Sequence, residues 1–260
     1  MQCPAYAAFD SSHRLLSQDL KRNVDHGAVH YKRWQLAQQR LKAYLTQLAN
    51  LSEKEYNSMK ESDKEAFWIN AYNAMTIKVV LDNYPIKGND PHYPANSLRQ
   101  IPDCWEGFKF VAAGRRCNLY EIEHEILRRD FHDHRTHFAV VCAAKGCARL
   151  LDHAYQGKTL NRELDEAEKR FLRDPNNVQF DFAAKAVTVS QLFKWFPLDF
   201  TPVAGLGKKF PPPSDDEIVL SYLIEKSAPE VKQRFTADPT LKSQFKVIYR
   251  PYDWSLNDAD

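Results

Sequence analysis

Glycine is scarce in this chain, at 8 of 260 residues. With only 14 prolines besides, a collagen-like, linker-rich or disordered polypeptide is excluded. A surplus of charge of one sign is missing too. The 36 Lys and Arg are nearly matched by 34 Asp and Glu, for a net charge of +2. That balance gives no bulk attraction to nucleic acid or to an anionic membrane surface. No apolar run approaches the roughly 20 residues that a membrane-spanning helix needs, and there is no internal repeat. Cysteines are few and odd in number: Cys3, Cys104, Cys117, Cys142 and Cys147. At least one thiol is therefore unpaired within the chain, and the count fits either a reducing compartment or one or two bridges after export. The opening MQCPAYAAFD has neither the basic nor the apolar region of a signal peptide. Its Ala5–Ala7 "AYA" has the small-x-small pattern that ends one. The expectation is a periplasmic or otherwise exported protein whose leader is absent from the sequence, with a cytoplasmic protein as the alternative.

What is present is a core. Hydrophobic residues make up 43% of the chain, enough for one sizeable domain. HRLLSQDLKRNV reads as a first helix. WQLAQQRLKAYLTQLAN reads as a second, with Leu36, Leu41, Tyr44, Leu45 and Leu48 on one face. Ser52 with Glu55, and Ser62 with Glu65, have capping-box spacing. The second box would open a helix, DKEAFWINAYNAMTIKVVLDNYP, that is apolar around most of its circumference and so buried, and Pro85 would stop it. Residues 84–105 are loop-rich. FKFVA and CNLY flank a turn at AGRR. Asn118 and Glu121 would cap the helix LYEIEHEILRRDF. THFAVVCA, residues 136–143, has the β-branched composition of a central strand, and a helix would begin near Cys147. A further helix (TLNRELDEAEKRFLRD), a hairpin turning at Ala184 and Lys185, a short helix ended by Pro197, a capped helix (SDDEIVLSYLIEKS) and a last strand (FKVIYRPYDW) complete the pattern. Helices outweigh strands, and the strands fall in local pairs. The fold class expected is α+β: one helix-dominated domain with a small, mainly antiparallel sheet. Residues 1–24 would be an N-terminal segment and first helix, and 25–257 the single domain.

Chemistry concentrates in three stretches. In FWINAYNAM, Trp68, Asn70, Tyr72 and Asn73 lie within two helical turns, and Asn70 and Asn73 share a face. A buried amide left unpaired costs about 1–3 kcal/mol. These asparagines therefore either tie the helix to neighbouring loops, or orient a histidine and line a cleft. In YEIEHEILRR, Glu121, His124 and Glu125 share a face and Glu123 lies elsewhere. No second histidine follows at the spacing of a zinc-protease motif. In the third stretch His132 and His134 fall in a polar loop, while Arg135 and His137 lead into HFAVVCAAKGCARL. Arg135 has the charge to pair with a carboxylate such as Glu123.

Cys147 follows Lys145 and Gly146. At a helix N-terminus beside a cation, its thiol would be acidified. With a histidine from elsewhere, that is the geometry of a papain- or transglutaminase-like nucleophile. A structural or disulfide-bonded thiol and a metal-bound one remain the other readings, although the spacing to Cys142 is not that of a zinc knuckle. Cys142, at the end of an apolar run, reads as the inert thiol. Arg149 could hold an anionic group or pair with Glu123. In an exported protein Cys104 and Cys117, which flank the hairpin, are one candidate bridge, and Cys142 with Cys147 the competing one.

AFWINAYNAMTI, NLYEIEHEILR, HFAVVCAAKGCARL, AVTVSQLFKWFPLDF and YRPYDWSLND, taken in this order, resemble family 547 of the domains of unknown function, over roughly residues 25–257. Members often have Ser-Cys-Pro where this chain has Gly146, Cys147 and Ala148. The resemblance implies a fold, an exported location and site positions, but no reaction. Two functions follow. One is a cysteine-dependent hydrolase or acyl transferase with Cys147 as nucleophile, His124 or His137 as base, and Asn70 or Asn73 as orienter or oxyanion donor. The other is a non-catalytic domain binding a small molecule, peptide or glycan. Binding residues would be Trp68, Tyr72, Glu123, Arg135 and Arg149. No cofactor, metal, nucleic acid or membrane span is expected.

Overall fold

The structure is a computed structural model and describes residues 9–207 and 210–260. Cys3 and the Ala5–Ala7 pattern lie outside them. The chain divides into two compact units: described residues up to Asp165 with Asp253–Asp260, and Glu166–Tyr252. Helices dominate and the strands are short, so the α+β class holds. No helix among the described residues is long and apolar enough to cross a membrane.

The first unit opens with α1 (Arg14–Asn23), a minimal hairpin of β1 (Val24–Asp25) and β2 (Ala28–Val29), and α2 (Tyr31–Gln35). Then come α3 (Gln39–Asn50), α4 (Glu53–Asn57) and α5 (Glu61–Asn83). The expected helix over 34–50 is two helices. The chain leaves α2 at Leu36 and restarts at Gln39. Trp34 from α2 and Leu41, Tyr44 and Leu48 from α3 are all buried, while Leu36 at the break is 82% exposed. Ser52 caps α4 as expected, accepting the Glu55 N–H while its own N–H donates to the Glu55 carboxylate. The second box does not form, because α5 already begins at Glu61 and Ser62 lies inside it. At 23 residues, α5 is roughly 35 Å long. From Ala66 to Leu81 its buried side chains face all directions, and it forms the axis of the first unit's core.

β3 (Phe110–Ala112) and β4 (Arg115–Cys117) form the expected hairpin. Its turn uses left-handed backbone at Ala113 (φ 49°) and Gly114 (φ 73°), as tight hairpins require. Asn118 and Glu121 cap one another reciprocally. The helix they open, expected from the sequence, is a π-helix, Glu121–Phe131. A 3-10 helix, His134–Phe138, follows.

Residues 136–143 form no strand. Ala139 and Val140 donate their N–H groups back to Thr136, and the Asn73 side chain takes the Ala139 carbonyl and the Val141 N–H. These backbone groups are thus spent before a neighbouring strand could use them. Only Ala144 pairs in β fashion, with Leu256. No helix begins at Cys147 either: residues 144–147 are a turn, and the next helix is α6 (Leu160–Arg173). The chain's last segment completes the first unit. Asn257 donates its N–H to Ala143 and accepts the Val29 N–H, and its side chain accepts the Tyr31 hydroxyl.

In the second unit β5 (Val178–Asp181) and β6 (Ala186–Ser190) are antiparallel, turning at Lys185 with φ 51°. After α7 (Leu192–Trp195), α8 (Thr201–Ala204), α9 (Asp215–Lys226), α10 (Pro229–Ala237) and α11 (Leu241–Gln244), β7 (Lys246–Arg250) pairs with β6 in parallel. The mixed sheet departs from the local pairing expected. The helices between β6 and β7 are the crossover a parallel pair demands. Phe193, Phe200 and Tyr222 pack ring against ring in this unit's core, with centroids 4.5–6.0 Å apart.

Candidate functional site

The site is built outward from α5. Asn73 donates to the Ala139 carbonyl at 3.0 Å and accepts the Val141 N–H at 2.8 Å. One turn earlier, Asn70 donates to the Tyr155 carbonyl at 2.8 Å and accepts the Tyr155 N–H at 2.9 Å. Both amides replace the missing partner strand for the segments they clamp. This is the tethering role considered for them, and it sets where Cys142 lies.

Beyond Cys142 the chain turns sharply. Ala143 adopts left-handed backbone, φ 60°, and Cys147 donates its N–H to Ala144 at 3.1 Å. Lys145 and Gly146 donate theirs to Ser255 and Asp253, so the turn is pinned to the closing segment. The outcome is a contact between the two cysteines: the Cys142 N–H donates to Cys147 Sγ at 3.0 Å. Both thiols are partly exposed. Cys104 and Cys117 are buried, and burial pushes their thiols up to about 12 and about 11. None of these four cysteines is in a disulfide, so neither candidate bridge is present.

Tyr72, buried on α5, donates its hydroxyl to Glu123 at 2.9 Å, and the Trp105 side chain beside the same phenol opposes the rise in its pKa. Burial, with the charge of Glu123 and the fields of Cys142 and Cys147, holds the Tyr72 phenol well above its ordinary value. Tyr31 is raised in the same direction by burial, then by Asp258 and by Cys147 and Cys142. The two buried tyrosines therefore sense the same pair of thiols, with Glu123 acting on Tyr72 and Asp258 on Tyr31.

Glu123 and His124 are consecutive on the π-helix, a rare form that recurs at functional sites. Arg128 donates to His124 Nδ1 at 2.7 Å. Arginine has no acceptor, so in this contact Nδ1 carries the lone pair and the ring proton sits on Nε2. The imidazole packs on Tyr120, centroids 4.2 Å apart. His137 is buried in the 3-10 helix, 4% exposed. Trp68 donates to the Tyr56 hydroxyl at 2.7 Å.

Neither arginine pairs with Glu123. Arg135 is bound by Asp133 and Asp165, the near carboxylates on its own loop and on α6. Arg149 contacts His26 Nδ1 at 2.7 Å. Tyr31 and Trp105 were not singled out by the sequence, since both lie outside the three stretches in which chemistry concentrates. Among the described residues no group of three or more His, Cys, Asp or Glu is placed to hold a metal ion.

A family model described as "Protein of unknown function, DUF547" matches residues 56–172, bearing out the resemblance over that range. AVTVSQLFKWFPLDF and YRPYDWSLND lie outside the match. Every candidate residue from Trp68 to Arg149 lies within it. No curated protein and no solved structure matches the chain.

Proposed function

Proceeding from a DUF547 region at residues 56–172, we propose that this chain is a cysteine-dependent hydrolase or acyl transferase with Cys147 as its nucleophile. The observation that carries the reading is the Cys142 N–H aimed at Cys147 Sγ at 3.0 Å. A hydrogen bond donated to sulfur favours the thiolate, the nucleophilic form. It does the work that a helix N-terminus was expected to do. Thiolate attack on an ester or amide carbonyl forms the Cys147 Sγ–carbon bond and expels an alcohol or amine as the leaving group accepts a proton. Water, or a second acceptor, then breaks the thioester and restores the thiol.

His124, with its proton on Nε2, is suited to donate to the developing oxyanion. In this reading His137 takes the thiol proton, while Asn70 and Asn73 act as positioning residues through the backbone they clamp. An exported, periplasmic location belongs to the same proposal.

The test is alkylation of the native chain by iodoacetamide from pH 5 to 9, with peptide mapping. The expected result is Cys147 labelled first with an apparent pKa below about 8, loss of that label in Cys147→Ser, and a shifted pH profile in Tyr72→Phe or Glu123→Gln. Labelling of Cys142 first, or of neither thiol before unfolding, would overturn the reading and favour a non-catalytic domain binding a small molecule, peptide or glycan. That second reading draws on the full engagement of both asparagine amides by backbone.

A further inference from the structure

The second unit contains a cavity of about 410 Å³. Its walls are apolar: Leu172, Val178, Phe180, Leu223 and Val231. Its lining also holds three cations, Lys169, Arg173 and Lys226. Lys169 and Arg173 stand four residues apart on α6, so they share a face, where like charges repel. No ion pair or hydrogen bond engages either of them among the described residues. Lys226 is different. It pairs with Glu168 at 2.8 Å, and the buried Glu168 also accepts the Tyr222 hydroxyl at 2.7 Å. Lys226 is therefore neutralised and fixed, and the charge left over at the cavity belongs to Lys169 and Arg173.

An apolar hollow with two uncompensated cations at its edge matches a molecule with an apolar tail and an anionic head. A carboxylate fits the planar guanidinium fork of Arg173 in bidentate fashion, while Lys169 supplies a second charge. The hollow lies near the lower end of small-molecule sites, which run from about 300 to 1,000 Å³. That admits one short or medium chain rather than a two-chain lipid. We propose that this cavity binds a free medium-chain carboxylate, tail inward and head on Lys169 and Arg173. The proposal does not rest on Cys147 or on any catalysis.

The test titrates sodium decanoate into the full chain by calorimetry, below its micelle-forming concentration. Decanol, decyltrimethylammonium and acetate are run beside it, with phosphatidylglycerol vesicles as a separate arm. Decanoate is expected to saturate one site, decanol to bind at least about tenfold more weakly, and acetate and the ammonium not to bind, because head and tail must both be engaged. Lys169→Ala with Arg173→Ala changes two exposed side chains and is expected to weaken decanoate by about tenfold or more. Val231→Trp, which fills the hollow, is expected to abolish binding with both cations intact. The proposal is overturned by an absence of saturable decanoate binding, by equal binding of decyltrimethylammonium, or by decanoate affinity that ignores the double substitution. Vesicle binding that needs Lys169 and Arg173, with no binding of free decanoate, would also overturn it and assign the face to a membrane surface.

Discussion

At the scale of the residue, buried polar groups decide more than their number suggests. Asn73→Ala leaves the Ala139 carbonyl and the Val141 N–H without the partner that replaces a strand. Each orphaned group costs roughly 1–3 kcal/mol. Thermal or urea unfolding should therefore show a loss of about 2–6 kcal/mol, with faster alkylation of Cys142 and Cys147 as the loop loosens. Two titrating groups pull stability in opposite directions. His13 is buried against the Tyr44 hydroxyl at 2.7 Å, and burial lowers its pKa from 6.5 to about 4, against a weaker pull from Asp10. Its folded value lies below the unfolded one, so its contribution is present above pH 6.5 and fades as pH falls towards 4. Glu65 is raised from 4.5 to about 7, by burial first and then by Asp133, with Arg135 opposing and Glu61 adding. One of its oxygens is buried without a hydrogen bond. Here the folded value lies above the unfolded one, so the contribution is full below pH 4.5 and is lost as pH rises through 7. Melting temperatures measured from pH 4 to 8 should show Glu65→Gln flattening the decline on the alkaline side and His13→Gln flattening the acid side. A Glu65→Gln profile parallel to the parent's would rule out the Glu65 contribution.

At the scale of the element, local signals were legible where the chain satisfies itself. Ser52 with Glu55, Asn118 with Glu121, and the AGRR turn are closed by neighbours a few residues away, and their spacing announced them. HFAVVCA misled because its partner is not a strand. Two asparagines 66–85 residues distant clamp 139–141 and Tyr155, and no β propensity records that. The break at Leu36 misled for a related reason, since amphipathic spacing continued across a joint that tertiary packing chose. The candidate residues were visible as types, being polar groups inside apolar segments. Their arrangement was not, because the Tyr72–Glu123 bond and the Cys142–Cys147 contact depend on the π-helix and the turn. That turn is held by Ser255 and Asp253. Removing 253–260 should raise the alkylation rates of Cys142 and Cys147 more than it changes far-UV circular dichroism. Equal thiol rates with and without the segment would show that the turn stands on its own.

At the scale of the whole molecule, thiol accessibility separates surface from core. Native titration with a thiol reagent at pH 8 should find Cys142 and Cys147, which are partly exposed, well before Cys104 and Cys117, which are buried and poorly acidic. Denaturation without reductant, with peptide mapping to set Cys3 apart, should release all four of these thiols. A native preparation in which Cys104 reacts as fast as Cys147 would contradict the packing of the first unit. The route of the chain carries a further consequence, for the order of events during synthesis. Leu256 and Asn257, which anchor the segment around Ala143 and Ala144, are made more than a hundred residues after Cys147. A domain grows from its N-terminal end as translation proceeds. The nascent first unit can bury α5 long before it can fasten the thiol-bearing turn, and the ribosome must first deliver the whole of Glu166–Tyr252. Until then, the two cysteines emerge into the cell on an unfinished loop.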